Sequence, residues 1–173
     1  LDYSPHFIDL LRWYFDDSKV KRVAALLKNV NNAMGKDTIS TTILEFSNGI
    51  IGSIGVYWVP EYKNWDTVDR YIRILGTKGK ILAELTTPTI TIYKASTLLG
   101  RIRGPSKIVP SFAMHPSMPI TQTSYRKELE DFIDSIIHNR PPKITGYDGK
   151  VVLKIMEAIK QSFEKNVFVE VEY

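Results

Sequence analysis

Asp2, His6 and Asp9 are the residues of this sequence whose types and spacing could do chemistry. They lie in the run Asp2-Tyr3-Ser4-Pro5-His6-Phe7-Ile8-Asp9, a carboxylate, three residues, an imidazole, two residues and a second carboxylate. A four-residue separation can place two side chains on one helical face. A carboxylate beside an imidazole is the pairing that orients a general base. In that chemistry His6 takes the proton of a hydroxyl group while Asp2 holds the ring. The same residues also fit a structural part, with His6 packing the helix start and Asp2 favouring the positive end of the helix dipole. Asp9, about one turn beyond His6, either backs the pair or forms a surface ion pair with Arg12.

Other chemistries lack their residues. The chain has no cysteine, so it offers no thiolate nucleophile, disulfide or cysteine-ligated zinc, and this favours a reducing, cytoplasmic home. No His-x-x-x-His pair suggests a metal, and no G-x-S-x-G elbow suggests a serine nucleophile. The net charge is +4. The basic clusters Lys19, Lys21, Arg22 and Arg101, Arg103, Lys107 read as a solvated rim, since no nucleic-acid motif accompanies them. No apolar run is long enough for a membrane span. Trp58 stands among Tyr57, Tyr62 and Trp65, which fits a wall for a sugar-like ring or a core or interface cluster. His115 lies in a proline-rich stretch from which it could reach a substrate. His138 ends a helix, where a cation suits the dipole.

The elements that must position these residues follow from periodicity. The 173 residues suffice for one domain, 1–173, with a sizeable core. The chain opens on Leu1 rather than Met and is expected to be part of a longer protein. A helix over roughly 5–15 is marked by Phe7, Ile8, Leu10, Leu11, Tyr14 and Phe15, with Ser4 as N-cap and Pro5 in its first turn. Residues 19–30 fit a helix (Val20, Val23, Leu27) and a strand face (Val23, Ala25, Leu27) equally. Thr38–Phe46 and Ile50–Trp58 flank Asn48-Gly49, the strongest short hairpin signal. Val68–Leu75, Lys80–Leu85 and Thr89–Lys94 continue an antiparallel meander. Residues 100–119, rich in Gly and Pro, read as a long loop. Two amphipathic helices follow, the first through Leu129, Phe132 and Ile136, the second over about Tyr147–Glu164. A last strand spans Val167–Tyr173. Segregated strands and helices predict an α+β domain, a large, mostly antiparallel open sheet with helices packed on one face.

These residues also carry a resemblance. D-Y-S-P-H-F-I-D-L-L-R-W resembles the start of the C-terminal domain of the Gfo/Idh/MocA oxidoreductases, the glucose–fructose oxidoreductase and myo-inositol dehydrogenase family. E-F-S-N-G-I-I-G-S-I, I-R-I-L-G-T-K-G-K-I, E-L-E-D-F-I-D-S-I-I-H-N-R-P-P and I-T-G-Y-D-G-K-V-V-L-K-I-M-E-A-I-K-Q-S resemble further family segments in the same order.

The resemblance implies a two-domain dehydrogenase acting on a sugar, polyol or related substrate. An N-terminal Rossmann domain outside this chain would hold NAD or NADP, and the open sheet would build a homo-oligomer. It implies that Asp2 and His6 are the catalytic pair, with Asp9, Trp58 and His115 as substrate-binding candidates. It also implies that the third catalytic group, a Lys in a Glu-Lys-Pro motif, lies in the cofactor domain. This chain has neither that motif nor a G-x-G-x-x-G fingerprint. It is therefore expected to bind no cofactor or metal alone and to be inactive when isolated. Where the family often has Gly and an aliphatic residue before its His, this chain has Ser4 and Pro5, which stiffen the stretch. The alternative reading is a non-catalytic self-association module of the same fold.

Overall fold

The structure, a computed structural model, describes residues 4–16, 18–30, 38–57, 71–84, 89–94, 106–108 and 120–173. The elements are α1 (Ser4–Tyr14), β1 (Val20–Lys28), β2 (Ile39–Phe46), β3 (Ile51–Tyr57), β4 (Tyr71–Gly76), β5 (Gly79–Glu84), β6 (Thr89–Lys94), β7 (Ser106–Ile108), α2 (Ile120–Ile137), α3 (Gly146–Lys165) and β8 (Val169–Glu170). They fall into two compact units, Leu1–Glu61 with Pro141–Tyr173, and Tyr62–Arg140. The described strands form two four-stranded sheets, one in each unit, and every ladder is antiparallel.

The first unit has strand order β3-β2-β1-β8. The two periods that compete over residues 19–30 resolve as strand, because β1 pairs with β2 from Val20 to Lys28 and buries Val23, Ala25 and Leu27 on one face. The Asn48-Gly49 hairpin forms as expected. Gly49 takes φ +85°, a left-handed value that costs glycine little, and the Asn48 side chain accepts from the Ile50 N–H at 3.1 Å. Helices α1 and α3 cover the inner face. Ile8, Leu44, Phe46, Ile155 and Ile159 are almost fully buried between them. Leu11 of α1 lies against Gly52 of β3, where an added Cβ would come within 3.4 Å of its side chain.

The last strand is shorter than the sequence suggests. Its ladder with β1 is only Arg22–Glu170 and Val23–Val169, next to the point where the β1–β2 register shifts between Val20 and Arg22. Beyond it, single contacts replace the ladder. The Val171 N–H donates to the Lys21 carbonyl. The Tyr173 hydroxyl accepts from the Val20 N–H and donates to the Val20 carbonyl, at 2.7 and 2.9 Å.

In the second unit the order is β4-β5-β6-β7. The stretch 100–119, read as loop, contributes the short strand β7. The register sets Ile72, Ile74, Ile81, Ala83, Ile90 and Ile92 on one face and Arg73, Lys80 and Tyr93 on the other, with the Lys80 ammonium 4.2 Å from the Tyr93 ring centre. Helix α2 exposes Leu129, Phe132, Ile133 and Ile136. At its end Asn139 turns left-handed and Arg140 folds back onto Asp131 and Asp134. His138 binds Asp134 at 2.9 Å.

Candidate active site

Helix α1 presents His6 because its buried stripe lies elsewhere. Ser4, Ile8 and Arg12, spaced by four, face inward, while His6 in the first turn is exposed. Pro5 is tolerated there because first-turn N–H groups have no intrahelical acceptor. Ser4 departs from its expected part as N-cap. The helix already includes Ser4, so the cap position falls outside the described residues. The Ser4 hydroxyl is 2% exposed and finds no hydrogen-bond partner among the described residues.

His6 lines a cleft of about 630 Å³ with Pro5, Asp9, Ile144, Gly146, Asp148, Gly149, Lys150, Val152 and Leu153. One wall is the start of α1 and the other is the first turns of α3. Thr145 precedes α3, and its N–H and hydroxyl both donate to the Asp148 carboxylate at 2.8 Å. These bonds, the N–H first, hold the Asp148 carboxyl below its ordinary acidity value, and the nearby Arg12 charge adds to them against the effect of burial.

Arg12 joins the two walls. Only 4% exposed, it lies 3.3 Å from Asp9 on α1 and 3.7 Å from Asp148 on α3. Asp9 thus pairs with Arg12 as one of its alternatives has it, though with a buried rather than a surface guanidinium, and it also lines the cleft with His6. The Arg12–Asp148 contact crosses 136 positions and has no local signature. Two signals in the sequence could have pointed to it. Arg12 occupies a core position of the α1 stripe, and Thr145-x-x-Asp148 has the spacing of a capping box.

Of the other residues singled out, Asp2, Trp58 and His115 lie outside the described residues. Tyr57 is exposed, with its hydroxyl 3.3 Å from that of Thr41. The described residues do not fit a dinucleotide site. Pyrophosphate sits where a parallel β-strand turns into a helix, whereas every ladder here is antiparallel. The turn between Gly76 and Gly79 joins two antiparallel strands. Among the described residues no group of three or more His, Cys, Asp or Glu could hold a metal, and no helix is long and apolar enough to cross a membrane.

On the opposite face of the first unit's sheet, Ala24, Leu26, Thr41, Ile43, Val167 and Phe168 border a shallow hollow of about 270 Å³. Leu26 is 70% exposed and Phe168 52%. The Arg22 guanidinium lies 5.0 Å from the Phe168 ring centre.

Comparison with known proteins agrees with this architecture. Residues 1–171 match the family described as "Oxidoreductase family, C-terminal alpha/beta domain". Over 176 residues the chain is 26% identical to myo-inositol 2-dehydrogenase of Thermotoga maritima, covering 99% of this chain and 48% of that protein. It therefore spans about half the length of that curated relative. Among solved structures, levoglucosan dehydrogenase in complex with NADH and levoglucosan superposes with a TM-score of 0.80 at 21% identity, covering 99% of this chain and 50% of that one. A probable dehydrogenase from Thermotoga maritima gives a TM-score of 0.69 at 26% identity over 99% of this chain and 48% of that one. The chain belongs to the Gfo/Idh/MocA oxidoreductase family, as its C-terminal alpha/beta domain.

Proposed function

We propose that this chain is the substrate-side catalytic half of an NAD(P)-dependent dehydrogenase of a sugar, polyol or related alcohol, with His6 as the general base and Asp2 as its partner. The observation that carries the reading is the exposed His6 in the cleft between α1 and α3, in a chain of this oxidoreductase family. Oxidising a secondary alcohol means removing the hydroxyl proton as hydride leaves the carbon. A nicotinamide bound outside this chain supplies the hydride acceptor. His6 takes the proton, a contribution worth about 10²–10⁴-fold, and Asp2 orients the ring. The apolar wall of Ile144, Val152 and Leu153 packs the carbon face of the substrate and thins the water around the proton transfer.

The test is His6→Ala in the full-length protein, assayed with NAD⁺ and NADP⁺ against myo-inositol and levoglucosan. Oxidation is expected to fall by at least about 10²-fold with the nicotinamide KM unchanged. Oxidation at the unmodified rate would sink the catalytic assignment. The chain alone is expected to show no NADH binding by calorimetry, because its sequence carries no G-x-G-x-x-G fingerprint. A second reading is favoured by the exposed apolar residues around Leu26 and Phe168: this outer face joins copies of the protein into a homo-oligomer.

A further inference from the structure

Arg12 is a buried cation that proton transfer by His6 does not require. A guanidinium removed from water is costly unless it is paired, and α1 already has Ile8 and Leu11 to anchor it on the core. Of the carboxylates beside it, Asp9 lies on its own helix and Asp148 on α3, and both line the cleft that holds His6. The Asp148 carboxylate is fixed in turn by two bonds from Thr145, so it offers Arg12 a rigid post.

We propose that Arg12 is a positioning residue for His6: held by Asp9 on its own helix and paired with Asp148 on α3, it sets the rotation and tilt of the helix that presents the imidazole. The proposal rests on the reading of His6 as the base. Apolar contacts alone let a short helix roll on its neighbours, whereas a buried ion pair to α3, made by a guanidinium that Asp9 steadies from within α1, resists rolling. His6 lies on the opposite side of α1's first turns from the buried stripe, so a roll of the helix moves the ring directly. A displacement of about 1 Å at a reacting group costs up to about 10²-fold in rate.

The experiment uses the full-length protein with His6→Ala, Arg12→Met, Arg12→Lys, Asp148→Asn and the Arg12→Met/Asp148→Asn double variant. Asp148→Asn keeps an acceptor for Thr145 and guards against the case in which Arg12→Met does not fold. The positions of the His6 ring signals are read by NMR on histidine-labelled protein. Arg12→Met and Asp148→Asn are each expected to lower kcat about tenfold without changing the nicotinamide KM. The double variant should be no worse than either single one, Arg12→Lys should recover part of the loss, and the His6 ring signals should move while those of His138 stay. An unchanged kcat in Asp148→Asn, with His6→Ala inactive, overturns the positioning proposal and leaves His6 as the base. If His6→Ala keeps its activity, the catalytic reading fails. The ring signals then decide the tether alone: displaced in both single variants they support it, unmoved they refute it.

Discussion

Asp148 serves two neighbours at once, capping α3 through Thr145 and facing Arg12 across the cleft, and its acidity gives a direct handle on both. Because the folded protein holds this carboxyl below its ordinary value of 3.8, the ionised form is favoured by folding. The stabilisation is therefore complete above that value and is lost as pH falls through the folded one. Melting temperatures measured from pH 5 down to pH 2 should fall more steeply for the unmodified protein than for Asp148→Asn; parallel curves would refute the assignment. What was legible at this scale was local. The spacing of His6 and Asp9 and the Asp9–Arg12 pair could be read along one helix. The Asp148 contact was harder to read: Arg12's core position and the Thr145-x-x-Asp148 spacing mark each residue, but no periodic pattern joins partners 136 positions apart. Ser4 misled for a related reason: its type suits a cap, but the stripe through Ile8 and Arg12 draws it into the interior.

Among the elements, the hairpins were readable because turn chemistry and β-branched residues are local signals, and Asn48-Gly49 fixes its own register. Strand β1 was not, since Val20, Val23, Ala25 and Leu27 satisfy both periods and only pairing with β2 decides between them. The same strand shows how its edge is closed where the β8 ladder runs out. The Ser162 hydroxyl of α3 accepts from the Ala25 N–H at 3.1 Å and donates to the Val167 carbonyl. Removing it leaves a buried donor without its partner, which costs about 1–3 kcal/mol. Ser162→Ala should lower the urea midpoint by a matching amount with an unchanged m-value; an unchanged midpoint would show that water replaces the hydroxyl.

For the whole molecule, the α+β class followed from the order of the elements, but the split into two units did not, since it depends on which distant segments meet. The outer sheet face carries its own prediction. If this face joins copies of the protein, Leu26→Glu, which places a charge amid Ile43 and Phe168, should reduce the mass of the full-length protein in sedimentation, whereas an unchanged mass would refute this face as an interface. The division into units also bears on synthesis. The first unit is assembled from Leu1–Glu61 and Pro141–Tyr173, with Tyr62–Arg140 inserted between them. At about 5–20 residues per second a ribosome spends several seconds making the insert. Throughout that time β1, β2 and β3 exist without α3, and the part of their apolar side that α3 covers lies bare. The α3 wall of the cleft that holds His6 is thus made only after the insert, so the nascent protein must avoid aggregation before that cleft can form.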